Sequence, residues 1–273
     1  MYEILEKQEI QPNVKMFRVR APAVAHKAQP GQFAIIRVHD KGERIPITLA
    51  GAEPEEEAVT IYFAEVGVSS MELGSLEAGD SVLNFSGPLG NPISIKKMGD
   101  VLCVGGGVFQ GANYYLAEAL HSAGNRVTCV LCARSRGHFF LEDELRDICV
   151  EVHYATDDGS KGHGSLDFLS GRLEEKGFRH VYTFGPTSMQ RAVSEMTRPL
   201  GISTTVNLFP IMVDGTGMCG ACRVTVGGAT RFACIDGPEF DGHQVDFDEL
   251  VSRMRYYTPQ EKIAMVLKEK RVI

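Results

Sequence analysis

The chain has no tryptophan, and its other aromatics are sparse at 8% of residues. No apolar run approaches the roughly 20 residues that a bilayer-spanning helix needs, so no membrane span is expected. There is no excess of basic residues: 28 Lys and Arg stand against 35 Asp and Glu, a formal charge of −7, which argues against a nucleic-acid surface. The first ten residues, MYEILEKQEI, lack the apolar core of a secretory signal, and the chain is expected to be cytoplasmic. Cysteine is scarce and odd in number, seven in all, which suits metal binding better than a disulfide framework. What is present is apolar content of 44% over 273 residues, enough for two cores. The acidic run Glu53-Pro54-Glu55-Glu56-Glu57 reads as a solvated turn.

Two rhythms divide the chain. From residue 1 to 97, short β-rich runs recur: Tyr2–Ile10, Val14–Arg20, Phe33–His39, Ile45–Ala50, Val59–Val66 and Ser81–Phe85. Turn pairs such as Pro30-Gly31 and Gly79-Asp80 separate them, the pattern of a small antiparallel barrel or sandwich. One short helix, starting at Ser69 or Ser70, is expected over Met71 to Leu76. From 98 to 206, apolar strands alternate with helical stretches: VLCVGGG, ANYYLAEALHSAG, RVTCVLCA, LEDELRD, CVEVHYAT, SLDFLSGRLEEKG, HVYTFG and TSMQRAVSEMTRPLG. That alternation predicts an α/β doubly wound parallel sheet with helices on both faces. A cysteine-bearing segment follows over 207–245, then a polar helical tail over 246–273.

Several stretches carry chemistry. Gly105, Gly106 and Gly107 close a strand and open a helix, where a phosphate could approach the backbone, although a tight turn explains them equally well. Asp157 and Asp158 end the third strand of the sheet, and Gly185, Pro186 and Met189 follow the fourth. The carboxyl ends of parallel strands are where ligands bind in such sheets, which ordinary polar loops can also occupy. In the barrel half, Arg44 stands beside Pro46, Ile47 and Thr48, a guanidinium suited to a diphosphate next to a strand backbone. Gly67, Ser69 and Ser70 precede the short helix and offer a second anion site or a simple cap. The sharpest pattern is D-x4-C-x2-C-x11-C, formed by Asp214, Cys219, Cys222 and Cys234. Plant-type [2Fe–2S] sites use C-x4-C-x2-C…C, so an aspartate stands where the first thiolate would be. Asp236, Glu239 and Asp241 are rival oxygen ligands, and a zinc site or bare thiols remain open on spacing alone. Cys103, Cys129, Cys132 and Cys149 lie in apolar strand patterns and read as core residues.

A barrel, a nucleotide-type sheet and a C-terminal [2Fe–2S]-like segment together resemble the ferredoxin-NADP reductase superfamily. The resemblance spans essentially the whole chain. It is nearest to the branch of electron-transfer subunits that serve dihydroorotate dehydrogenase, sulfide dehydrogenase and NADH-dependent, electron-bifurcating ferredoxin:NADP oxidoreductases. Asp214 in place of cysteine is similar to the bifurcating members. The resemblance implies FAD on Arg44, Pro46, Ile47 and Thr48, with Gly67, Ser69 and Ser70 under its diphosphate. It implies NAD(H) or NADP(H) at Gly105, Gly106, Gly107, Asp157, Asp158, Gly185, Pro186 and Met189. It implies a [2Fe–2S] cluster on Asp214, Cys219, Cys222 and Cys234. Where the family has a small apolar continuation after the triple glycine, this chain has Phe109 and Gln110, which are expected to narrow the mouth of the nucleotide site. Phe184 stands where the family often has cysteine. Arg134, Ser135 and Arg136 follow the second strand, where an acidic residue would select NAD.

The chemistry this implies is a relay. Hydride carries two electrons and a cluster takes one, so FAD belongs between them. A relay ending on a one-electron cluster needs a partner, which in the resembled systems is a large flavin/[4Fe–4S] subunit. An electron-transfer subunit of a dihydroorotate or sulfide dehydrogenase is an alternative within the same class. A zinc-stapled nucleotide-binding module without redox activity is the alternative outside it.

Overall fold

The computed structural model describes residues 1–270, so positions 271–273 of the expected tail lie outside the described residues. The first half is built from β1 (Tyr2–Gln11), β2 (Val14–Arg20), a single helical turn α1 (Pro22–Ala25), β3 (Phe33–Arg37), β4 (Ile45–Glu53), β5 (Ala58–Ala64), α2 (Val68–Gly74), β6 (Ser81–Val82) and β7 (Asn84–Leu89). The strands form one antiparallel sheet in the order β6-β1-β2-β5-β4-β3-β7. Its two edge strands, β6 and β7, are separated in sequence by Leu83 alone. The sheet must therefore curl until its edges meet, which makes a nearly closed barrel. Alternate residues point inward: Phe17, Val19, Ala34, Ile36, Ile47, Leu49, Ile61 and Phe85 fill the interior. The expected run Ser81–Phe85 is split between β6 and β7, because the chain turns the barrel corner there.

The second half holds β8 (Asp100–Gly106), α3 (Gln110–Ser122), β9 (Arg126–Ala133), α4 (Glu142–Ile148), β10 (Glu151–Thr156), α5 (Phe168–Lys176), β11 (His180–Phe184), α6 (Thr187–Thr197) and β12 (Ser203–Asn207). These five strands run parallel in the order β10-β9-β8-β11-β12. Leu116, Ala117 and Leu120 of α3 and Leu145 of α4 cover one face, and Leu169, Leu173, Met189 and Val193 cover the other. The strand order reverses beside β8, so the crevice of the sheet opens at the carboxyl ends of β8 and β11.

The cysteine-bearing segment is more integrated than its sequence suggested. A hairpin of β13 (Arg223–Val226) and β14 (Ala229–Phe232) turns on Gly227-Gly228, both at positive φ. Then β15 (Glu239–Asp241) pairs antiparallel with β12, so the segment adds a sixth strand and makes the sheet mixed. Its core is shared with the outer face of the barrel: Phe33 and Ile35 pack with Val206, Met212, Cys222, Val224, Cys234 and Phe240. Burial of one such large apolar side chain stabilises by about 1.5–3 kcal/mol, so this shared face fastens the segment firmly. The tail is two helices, α7 (Phe247–Met254) and α8 (Thr258–Glu269). Asp246 caps α7 by accepting from Glu249 N at 2.9 Å. Near the end of α8, Lys268 donates to the Val68 carbonyl at 3.4 Å and so returns the tail to α2. No helix among the described residues is long and apolar enough to cross a membrane.

Candidate functional site

The loop from Asp214 to Cys222 depends on backbone conformations that only glycine adopts without strain: Gly215, Gly217 and Gly220 all have positive φ. Gly215 also meets the barrel so closely that a Cβ there would lie 2.8 Å from Ile35 and 3.0 Å from Leu89. The Asp214 carboxylate organises the loop: Oδ1 accepts from Thr216 N at 2.9 Å and Oδ2 from Cys219 N at 2.8 Å. These amides hold its pKa below the usual carboxylate range, Thr216 foremost. Cys222 and Cys234 are buried with sulfurs 3.2 Å apart, and Cys219 is exposed. Burial, with Cys222 alongside, pushes the Cys234 thiol up to about 12. Amides point at the sulfurs, Gly217 N at Cys234 (3.1 Å) and Ala221 N at Cys219 (3.5 Å), the environment that favours thiolates. Among the described residues no three His, Cys, Asp or Glu side chains converge on a single ion position. Three thiols and a carboxylate in one segment are donors of the kind that iron–sulfur sites use.

Of the rival oxygens, Asp236 accepts from Phe232 N at 2.7 Å and Asp241 from His243 N at 2.9 Å. Glu239 turns away into the junction between halves. Its Oε1 accepts from Asn207 Nδ2, and its buried Oε2 has no hydrogen-bond partner among the described residues. Burial raises its pKa well above the ordinary carboxylate value.

On the barrel, β4 places Thr48 opposite Phe33 and Pro46 opposite Ile35. Thr48 Oγ1 is buried without a partner among the described residues, a polar atom that a bound group would satisfy. Arg44 is exposed just before β4. Glu43 beside it accepts from Ser69 Oγ, which brings the Arg44 segment and the Gly67–Ser70 segment together. Ser70 closes its own turn by accepting from Val66 N (2.9 Å) and Gly67 N (3.0 Å). Arg44, Asp214 and Thr216 line one cavity of about 270 Å³ with Arg37, Asn84 and Ser86. The last three and Thr216 escaped the sequence reading. The visible signal was period-two polarity, Arg37 after Ile35 and Ser86 after Asn84, on a face that also buries Ile35.

In the parallel sheet, the glycine turn and the loop after β11 meet. A Cβ on Gly106 would lie 2.6 Å from Met189 Sδ and 3.1 Å from Pro186, and one on Gly185 would lie 2.5 Å from Met189 Cε. Gly107 is exposed at positive φ. Asp157 and Asp158 sit at the same edge but in the loop after β10, a strand two places from β8, about 10 Å across the sheet. Asp158 Oδ1 accepts from Ser160 N at 2.9 Å, and Ser160 Oγ accepts from Arg136 N at 2.8 Å, which ties this loop to Arg134–Arg136. The expectation that Gln110 narrows the mouth is corrected. It is fully buried and donates to the carbonyls of Gly107 and His138, both at 2.9 Å, so it braces the turn from within. Phe109 packs edge-to-face on Phe209, with ring centroids 5.5 Å apart. Cys103 and Cys129 are fully buried and Cys132 half-buried in strands of the sheet, whereas Cys149, expected in the third strand, is half-buried at the end of α4 before β10 begins.

A family profile described as the iron–sulfur cluster binding domain of dihydroorotate dehydrogenase B matches residues 210–246. A Thermotoga maritima protein named "Dihydroorotate dehydrogenase B (NAD(+)), electron transfer subunit homolog" is 46% identical over 264 residues, 96% of this chain and 93% of that one. The dihydroorotate dehydrogenase B electron transfer subunit of Shouchella clausii is 33% identical over 249 residues, 87% of this chain and 94% of that one. A chain in the solved structure of NADH-dependent reduced ferredoxin-NADP oxidoreductase, described for flavin-based electron bifurcation, superposes with a TM-score of 0.92 and 42% identity. That match covers 100% of this chain and 98% of the other. The barrel-plus-sheet architecture is thus ferredoxin-reductase-like, with a C-terminal iron–sulfur-type domain.

Proposed function

The chain belongs to the family of dihydroorotate dehydrogenase B electron-transfer subunits and their homologues, and from that premise we propose that it is the electron-transfer subunit of a flavin-based electron-bifurcating oxidoreductase. It passes electrons between NAD(P)H, FAD and a [2Fe–2S] cluster, and onward to a large flavin/[4Fe–4S] partner subunit. One observation carries this reading: the cluster-type loop lies directly on the barrel, with Asp214 and Thr216 sharing a cavity with Arg44. A relay needs its carriers close, and this packing supplies that closeness.

Bound flavin would supply the exchange between two-electron and one-electron chemistry. Arg44 would hold its diphosphate, and Thr48, with its unpartnered buried hydroxyl, would take up a polar edge of the ring. Ser70 holds the turn at Gly67 and Ser69 shaped for the same diphosphate. Gly106, Gly185, Pro186 and Met189 form a close-packed floor for a pyridine nucleotide at the crevice between β8 and β11, with Asp157 and Asp158 beside it. Asp214, Cys219, Cys222 and Cys234 would hold the cluster. Met218, inside the loop, is 88% exposed, an apolar surface next to the redox site that suits a protein partner.

The test is the visible and EPR spectra of the anaerobically purified protein, followed through titration with NADH and with NADPH. Flavin and [2Fe–2S] bands that bleach with either nucleotide support the relay. A colourless, zinc-containing protein overturns it. Co-purification with a dihydroorotate-oxidising subunit would keep the relay and replace the bifurcating complex.

A further inference from the structure

The cavity between the barrel and the cluster loop has two walls of different origin. Ile35 and Arg37 come from β3, and Asn84 and Ser86 from β7, with Ile35 paired to Ser86 and Arg37 to Asn84. The opposite wall is the loop of Asp214 and Thr216. Arg37 is braced there: its Nε donates to the Gly42 carbonyl at 3.0 Å and its Nη2 to the Asp40 carbonyl. A guanidinium has five N–H donors, so this bracing leaves others for the cavity. Two arginines, Arg37 and Arg44, line the cavity with one carboxylate, Asp214, and that carboxylate already accepts two loop amides. The cavity therefore favours an anionic or phosphate-bearing occupant. Its volume of about 270 Å³ is below the range of sites that enclose a whole drug-sized ligand, so it takes a fragment of one.

We propose that this cavity is an extension of the flavin site, in which Arg37 and Thr216 are additional binding residues for a phosphate-bearing part of FAD, so that flavin occupancy fixes the cluster loop. The inference rests on the flavin reading above and deepens it. Thr216 couples the cavity to the cluster loop, because it lines the cavity while its amide donates to the Asp214 carboxylate. Whatever fills the cavity presses on the residue that positions the candidate fourth ligand. Gly215, packed against Ile35 and Leu89, holds the loop on the barrel beside the cavity.

The experiment uses the full chain, anaerobically purified with its iron. FAD is removed by dialysis against chaotropic salt and then restored. Binding of FAD and of riboflavin is followed by flavin fluorescence, the cluster by EPR after dithionite reduction, and iron release to a ferrous chelator by absorbance. Arg37→Gln, which can still bond the turn carbonyls, and the near-isosteric Thr216→Val should each weaken FAD binding about ten- to hundredfold, the loss of one charge-assisted or buried hydrogen bond, and leave riboflavin binding nearly unchanged. In the wild type, removing FAD should shift the EPR spectrum and speed iron release, and restoring it should reverse both. Wild-type FAD affinity in both variants, or an EPR spectrum and iron release indifferent to FAD, overturns the inference while leaving the flavin reading intact. A wild type that binds no FAD overturns both.

Discussion

Asp214 does two jobs that substitutions can separate. Its carboxylate shapes the loop through the Thr216 and Cys219 amides, and it stands at the ligand position of the D-x4-C-x2-C-x11-C pattern. Asp214→Asn keeps an acceptor oxygen for one of the two amides and loses the anionic donor. The expected outcome is a folded protein with less iron and a weaker [2Fe–2S] EPR signal. Asp214→Cys restores an anionic donor of softer character, so iron content should hold while the signal and potential change. Asp214→Ala loses both functions and should retain least iron. An unaltered signal in the alanine variant would remove Asp214 from the ligand set. Arg44→Ala makes the matching prediction on the barrel. Loss of one charge-assisted contact to a diphosphate, roughly 1.5–3 kcal/mol, should lower FAD retention after desalting without changing the circular dichroism of the fold. The place of Asp214 beside the cysteines was legible in the sequence because spacing along a tight loop is a local property. Arg37, Asn84, Ser86 and Thr216 were not, because they meet only when the barrel's outer face and a segment more than a hundred residues away are packed together.

At the level of elements, the joint between the halves is α3 against the barrel. Gly111 in its first turn lies against the Tyr62 ring and Ala50, so a Cβ there has no room. Tyr62 cannot yield easily, since its ring packs on Phe140 with centroids 4.9 Å apart. Replacing glycine by alanine in a helix ordinarily gains up to about 1 kcal/mol. Overpacking a fixed aromatic contact costs about 1–3 kcal/mol, so the contact wins and Gly111→Ala should destabilise. A lower melting temperature by differential scanning calorimetry is the expected readout, and a raised one would show that Tyr62 swings aside. The same element shows where sequence reading stops. The strands and helices of the parallel sheet were visible because each carries its own period of apolar residues. The Gly227-Gly228 hairpin and β15 were not, because β15 is three residues long and exists only through its pairing with β12. Gln110 was misjudged for a related reason: a long polar side chain after a glycine turn reads as exposed, and only the fold supplies the two carbonyls that bury it.

At the scale of the whole molecule, the three structural regions meet at Glu239. It sits on β15 of the cysteine-bearing segment, its carboxyl accepts from Asn207 at the end of β12, and Asn207 Nδ2 also donates to the carbonyl of Gly31 in the barrel at 3.2 Å. Gln190 of α6 extends the network by donating to the Gly185 carbonyl at 2.8 Å and the Asn207 carbonyl at 2.6 Å. Spacing along the chain suggested Glu239 as a rival cluster ligand, but its place is this junction. Burial holds its pKa well above the ordinary value of about 4.3, so between the unfolded value and the folded one the folded chain keeps a proton that the unfolded chain has released. The sign follows from linkage. The contribution is fully stabilising below the unfolded value and is lost as pH rises through the folded one. Glu239→Gln removes the titration, and its amide can donate to the nearby Asn207 Oδ1, which has no partner among the described residues. Melting temperatures of the two proteins should therefore converge toward about pH 5 and separate as pH rises toward about pH 9, with the glutamine variant the more stable. Parallel melting curves across that range would mean that Glu239 is ionised in the folded protein, its charge satisfied at the junction of the three regions.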